Sequence, residues 1–239
     1  MGEEVFQKSK ISEPVSIVAH QLKNPISVLK GYLEALISGE IGKINKKQKE
    51  YLYDALENVE RMSTIVNHLL DVSKIEEKRY EVKKTPINLS ALAKDVVEEF
   101  SSWAKAINCE VVFNPPADLL LVQADLIKIR QVIENLISNA VKYKSQGQAK
   151  VEIRIQKKGN KVLFSCKDNG IGVPDKDLKK VFSKFYRSED ALDIDPAGTG
   201  LGLYINKAII ELSGGKIWFK KNKEKGMTFY FTLPIIPSP

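Results

Sequence analysis

Apolar residues in the first third of the chain recur at helical spacing. Ile11, Val15, Val18, Leu22, Ile26, Leu29, Leu33 and Leu36 step by threes and fours, which lays them along one stripe. The stretch "SGEIGK" breaks that pattern with two glycines. A second stripe follows at Leu52, Ala55, Val59, Met62, Val66 and Leu69, with the 3-4 alternation of a coiled-coil seam. Two amphipathic helices with a short connection make an antiparallel hairpin. A lone hairpin buries only one face of each helix. Two copies would complete a four-helix bundle, so a homodimer is expected.

The pattern changes near residue 80. "KKTPIN" carries a proline and no periodicity, and the domain boundary is placed there, with 1–79 on one side and 80–239 on the other. Beyond it, "LSALAKDVVEEFSSWAKA" reads as a helix capped by Ser90. "CEVVF", "LLLV", "KVEIRI" and "KVLFSCKD" read as strands rich in branched residues. "DLIKIRQVIENLISNAVKY" and "GLGLYINKAIIELS" read as helices, the second stopped by Gly214 and Gly215. "KIWFK" and "MTFYFTLP" pair as an antiparallel hairpin around "NKEKG". The expected fold is an all-α hairpin followed by a two-layer α/β sandwich.

Composition narrows the function classes. The chain of 239 residues carries a net charge of +7, with lysines spread along its whole length. There is no basic arm and no interleaved aromatic pattern, so nucleic acid is the weakest partner reading, behind an acidic protein or a polyphosphate. Cys109 and Cys166 are far apart and sit in apolar runs, as reduced core cysteines do. No apolar run approaches a membrane span, and the first residues lack a secretory apolar region. A cytoplasmic protein, or the cytoplasmic piece of a larger receptor, is expected. P-loop, nucleophile-elbow and HExxH motifs are absent.

Four features carry candidate chemistry. Asn135 and Asn139 lie i, i+4 on one helix, with Lys142 and Tyr143 a turn later. Asparagine is a poor helix former, but amide oxygens suit a hard cation such as Mg²⁺, and a lysine suits a phosphate. "DNGIG", Asp168 to Gly172, ends a strand; it is an ordinary turn sequence that also lets a flat ligand approach the backbone. "GTGLG", Gly198 to Gly202, opens a helix whose N-terminus favours an anion. Between them, the part of "VFSKFYRSEDALDIDPAGTG" after Arg187 lacks periodicity and reads as a structureless mobile lid. Separately, "AHQLKNP" places His20 two residues from Val18 and Leu22, so it faces away from the seam. His68 is also off the seam and reads as a surface residue.

The order Asn…Asn-x-x-Lys-Tyr, Asp-x-Gly-x-Gly, Phe-x-x-Phe, Gly-x-Gly-x-Gly resembles the ATP-binding domain of sensor histidine kinases, within the gyrase, Hsp90, histidine kinase and MutL superfamily. "AHQLKNP" resembles the phosphoacceptor box of their dimerisation domain. The resemblance spans about residues 10–234. It implies ATP–Mg²⁺ binding, autophosphorylation of His20 and transfer to a response-regulator aspartate. Asn139 would be the principal Mg²⁺ ligand with Asn135 beside it. Lys142 and Tyr143 would contact phosphate and nucleotide, and Asp168 would read the adenine amine. Gly170 and Gly172 would shape the base pocket, Phe182 and Phe185 would anchor the lid, and Arg187 would approach the phosphates. Gly198, Gly200, Leu201 and Gly202 would cradle the phosphates.

The departure is Gln21, where many family members carry a carboxylate. Glutamine fixes the imidazole tautomer but brings no charge, so slower transfer is expected. Asn24, one turn from His20, implies phosphatase activity towards the regulator. Two other readings stay open: a nucleotide-binding scaffold that does not phosphorylate, and a conformational ATPase. Against the second, the position of the water-activating glutamate is Asn135, and the adjacent Glu134 points about 100° away.

Overall fold

The structure, a computed structural model, describes residues 12–116, 120–145 and 147–236, without the side chains of residues 12–15. It divides into two compact units, Met1–Tyr80 and Glu81–Pro239.

The first unit is a helical hairpin of α1 (Ser12–Ser38) and α2 (Lys46–Glu76). Helix α2 starts on a reciprocal capping box: Asn45 Oδ1 accepts from the Gln48 N–H at 2.9 Å, and Gln48 Oε1 accepts from the Asn45 N–H at 2.8 Å. Ala19, Ile26, Val59 and Val66 form the buried seam, with Leu33, Leu69 and Leu70 packed against it. Lys30 Nζ donates to Glu60 Oε1 across the hairpin at 2.8 Å.

The predicted single stripe of α1 is therefore split. The residues facing α2 are the buried Ala19 and Ile26 and the half-buried Leu33, seven apart, whereas Val18, Leu22 and Leu29 stay exposed. On helix geometry the two rows lie roughly 65° apart around α1. The small Ala19 belongs to the inner row and lets the helices approach. Met62 of the second stripe is exposed too. Ile11 lies outside the described residues, as does the side chain of Val15.

The second unit has the element order β1 (Thr85–Asn88), α3 (Leu89–Ala106), β2 (Cys109–Phe113), β3 (Leu121–Ala124), α4 (Leu126–Lys142), β4 (Ala149–Lys158) and β5 (Lys161–Asp168). A 3₁₀ turn (Asp175–Lys180), α5 (Glu189–Ile194), α6 (Gly202–Leu212), β6 (Lys216–Lys221) and β7 (Met227–Pro234) follow. Five strands form a mixed sheet in the order β2-β4-β5-β7-β6, with β2 parallel to β4 and the other pairs antiparallel. Helices α4 and α6 pack on the sheet and on each other. The core between the layers holds Ile129, Ile133, Leu136, Ile137, Ile153, Ile205 and Ile209, all 1% exposed or less. Phe164 and Phe231 stack there at 4.5 Å between centroids on neighbouring strands. Burying each ring stabilises the unit by roughly 2–3 kcal/mol. Cys109 and Cys166 are free and buried.

Three expectations need correction. "KKTPIN" is not only a linker: Thr85–Asn88 pairs antiparallel with Leu121–Ala124, and Pro86 is tolerated because β1 is the edge strand of this small sheet. The strand expected at "LLLV" is displaced to Leu121–Ala124 by that pairing. Ser90 is not the cap of α3. Asn88 caps it, its Oδ1 accepting from the N–H groups of Ser90 and Ala91, while the Ser90 hydroxyl is buried without a partner.

Candidate functional site

Helix α4 organises the site in the second unit. It starts on Asp125, whose Oδ1 accepts from the Ile127 and Lys128 N–H groups, and it buries Ile129, Val132, Ile133, Leu136 and Ile137. That burial fixes its rotation and turns Asn135 and Asn139 to a common half-buried face, where Asn139 Nδ2 donates to Asn135 Oδ1 at 3.4 Å. Asn135 Nδ2 is buried with no partner. Glu134 points elsewhere and takes Arg130 Nε at 2.8 Å.

The Asp168 turn docks on the C-terminal end of α4. The Ile171 N–H donates to the Tyr143 carbonyl at 3.0 Å. A Cβ on Gly170 would lie 2.4 Å from the same carbonyl oxygen, so a glycine is required for this approach. Gly172 takes φ +77°. Asp168 is 9% exposed, and its Oδ1 accepts from the Gly170 N–H at 2.8 Å and the Met227 N–H at 3.1 Å. Burial pushes its carboxyl above the usual range, and those two backbone donors oppose the shift. Burial also raises the Tyr143 phenol.

The glycine-rich segment docks on the same helix from the other side. A Cβ on Gly202 would lie 2.6 Å from Asn135 Oδ1, so the first turn of α6 is pressed onto that amide. Leu201 is buried beneath it. Gly200 (φ +66°) passes within 2.7 Å, at its Cβ position, of the Phe185 backbone. Lys142 Nζ meets Asp195 Oδ2 at 3.4 Å.

The segment after Arg187 is not structureless. Ser188 caps α5, accepting from the Ala191 N–H at 3.3 Å. Arg187 donates to the carbonyls of Gly198 at 2.9 Å and Ala191 at 2.6 Å, and also to that of Asp195. Its guanidinium thus organises the loop. One half-buried cation satisfying three carbonyls replaces the hydrophobic periodicity that the sequence lacks here. Phe182 packs against Phe219 of β6 at 5.8 Å, but Phe185 is 62% exposed with φ +59°, so only the first of the two aromatics anchors this region.

Sequence reading overlooked the support beneath Asp168. Asn222 Nδ2 donates to the Asp168 carbonyl at 2.7 Å, and a Cβ on Gly226 would lie 2.2 Å from that oxygen. "NKEKG" reads as an ordinary hairpin turn. Nothing local to it announces contact with a strand 54 residues away.

In the first unit His20, Gln21 and Asn24 are all exposed on α1. His20 and Asn24 share a face, turned roughly 180° from the exposed Val18–Leu22–Leu29 row. His68 is half-buried rather than a plain surface residue, and burial lowers its imidazole pKa against the opposing effect of Asp71.

Among the described residues no group of three or more His, Cys, Asp or Glu side chains could hold a metal, and no helix is long and apolar enough to cross a membrane. The Asn135–Asn139 pair nonetheless fits a hard cation, because it offers side-chain amide oxygens on one face of α4.

A hairpin carrying an exposed histidine box, followed by this sandwich with its asparagine, aspartate and glycine elements, defines a phosphoacceptor module joined to a nucleotide-binding module. The family model "His Kinase A (phospho-acceptor) domain" matches residues 11–78, and "Histidine kinase-, DNA gyrase B-, and HSP90-like ATPase" matches residues 124–237. The chain belongs to the sensor histidine kinases. It is 37% identical over 224 residues to the sensor histidine kinase WalK of Bacillus subtilis (strain 168), covering 93% of this chain and 36% of that protein. Among solved structures, the catalytic domain of histidine kinase ThkA is 33% identical with a TM-score of 0.57, over 65% of this chain and 99% of that one. Full-length ShkA in complex with AMPPNP shares the fold over 95% of this chain and 46% of that one, with a TM-score of 0.72 at 24% identity. The chain thus spans about a third of the length of the curated relative described.

Proposed function

We propose that this chain is the catalytic core of a two-component sensor kinase working in the cytoplasm. The second unit binds ATP–Mg²⁺, His20 takes the γ-phosphoryl group, and a response-regulator aspartate receives it. One observation carries this reading: α4 is the common floor of the site, with the Asp168 turn docked at Tyr143 and the glycine segment docked at Asn135. Base, cation and phosphate determinants thereby share one helix.

Within this reading Asp168 accepts the exocyclic amine of adenine, its Oδ1 already held by two backbone donors. Gly170 and Gly172 keep the base pocket clear. Asn139 and Asn135 hold Mg²⁺, which neutralises developing phosphate charge when bound. Lys142 and Tyr143 contact phosphate and nucleotide. Gly198, Gly200, Leu201 and Gly202 cradle the phosphates at the start of α6, where the helix N-terminus favours an anion. Arg187 serves by tying the glycine segment at Gly198 to α5 through the carbonyls of Ala191 and Asp195.

His20 is the nucleophile because it is exposed and borne on a rigid helix. Gln21 orients the imidazole without stabilising the cation formed on attack. Asn24, on the His20 face, positions the water that dephosphorylates the regulator. The exposed Val18, Leu22, Leu29 and Met62 form the contact with a second copy, which completes the four-helix bundle. The ATPase alternative is disfavoured because Glu134 is engaged by Arg130.

The test is incubation with γ-labelled ATP and Mg²⁺. Acid-labile, alkali-stable label is expected on the wild type and none on His20→Ala. Equal labelling of that variant defeats the assignment, and phosphate release into water that survives loss of His20 supports the ATPase instead.

A further inference from the structure

Lys142 is the cation assigned to the phosphates, yet its ammonium is already engaged. Its Nζ lies 3.4 Å from Asp195 Oδ2. Asp195 belongs to the loop between α5 and the glycine segment, and no feature of the sequence marked it.

The carboxylate is held in place. The Asp195 side chain is 24% exposed, against 44% for Lys142. Its N–H donates to the Ala191 carbonyl at 3.2 Å, closing α5, and its own carbonyl accepts from the Gly198 N–H at 3.1 Å and from Arg187. A Cβ on Gly198 would fall 3.1 Å from Asp195 Oδ2 and 3.1 Å from Arg187 Cζ. The first glycine of the "GTGLG" segment thus makes room for this carboxylate and guanidinium, a packing role separate from any contact with phosphate.

We infer that Asp195 is an internal competitor for the phosphate-binding cation, a resident anion that nucleotide phosphates must displace from Lys142. The inference rests on the nucleotide-binding reading above. While Asp195 holds the ammonium, part of its charge is neutralised and it is drawn towards the carboxylate, so a phosphate meets a weaker cation there. Binding therefore exchanges one ion pair for another and weakens apparent affinity by the strength of the first. Displacement also removes a tie between α4 and the loop, so phosphate occupancy is coupled to loop position. Adenosine, which has no phosphates, bypasses the exchange.

Calorimetric titration of the whole chain with MgATP and with adenosine tests this on wild type, Asp195→Asn, Lys142→Met and the double variant. Asp195→Asn removes the charge at nearly constant shape. It should tighten MgATP binding roughly two- to fivefold, the range of a part-exposed ion pair, and leave adenosine binding unchanged. The gain should shrink as salt rises and vanish in the Lys142→Met background. Unchanged or weaker MgATP binding by Asp195→Asn overturns the inference. So does a gain that persists without Lys142, or an equal gain for adenosine. Failure of the wild type to bind either ligand would instead defeat the nucleotide-binding reading itself.

Discussion

Gly202 and Asn135 are in contact with no room for a side chain between them: a Cβ at 202 would stand 2.6 Å from Oδ1 and 2.7 Å from Nδ2 of the amide. The start of α6 and the middle of α4 are thereby one structural unit, and the glycine is set by packing as much as by any ligand.

Gly202→Ala should therefore destabilise the protein, although alanine is the better helix former by about 1 kcal/mol. Overpacking against a half-buried amide costs roughly 1–3 kcal/mol. A net lowering of the melting temperature is expected, with a larger loss of nucleotide affinity because Asn135 is pushed off its position. Thermal denaturation and titration with MgATP measure the two effects separately.

Asp168→Asn should separate stability from recognition. Burial holds the folded carboxyl above the ordinary value of 3.8, so the folded state favours the protonated form. The stability associated with that proton is fully present below the unfolded pKa and is lost as pH rises through the folded one. The neutral amide escapes this loss and keeps an oxygen for the Gly170 and Met227 N–H groups. The melting temperature of the variant relative to wild type should rise as pH climbs from about 4. Adenine nucleotide binding should fall sharply, since the amide no longer offers the carboxylate at neutral pH.

Gln21→Glu should speed autophosphorylation. A carboxylate next to His20 can accept the imidazole N–H and stabilise the cation formed on attack, which the amide does without charge. In serine proteases the loss of such a carboxylate lowers kcat by roughly 10⁴. The exposed position of Gln21 predicts a far smaller gain, on the order of tenfold. Initial labelling rates at saturating MgATP report it, and nucleotide affinity should not change.

Leu29→Asp should yield monomers. Leu29 is 48% exposed and lies in the uncovered row with Val18 and Leu22. A carboxylate in a bundle core is left without a partner and costs several kcal/mol. Light scattering should show the loss of dimer, while the nucleotide-binding unit still titrates normally.

Much of this protein could be read from periodicity alone. Helices α4 and α6 and strands β5 and β7 appear where their patterns place them, because each buries one face in the same core. The candidate site residues that lie in local motifs were legible for the same reason: Asp168 ends a strand, Asn135 and Asn139 share a helix face, and Gly198 to Gly202 open a helix. Strand β1 was not legible, because its partner Leu121–Ala124 is remote and a proline interrupts its pattern. The half-burial of His68 was not legible either, because its spacing places it off the α2 seam.

The sequence by itself determined the elements, the two-part division of chemistry and the candidate residues, since these depend on side-chain type and spacing along one segment. The tertiary structure decided what those residues are engaged with. Only the fold brought Asp195 to Lys142, Gly202 to Asn135 and the "NKEKG" turn to Asp168. It also divided the α1 stripe into an inner row and an exposed one. Those outcomes are contacts between distant segments, and each is fixed by how the packed elements rotate and approach, which no local pattern encodes.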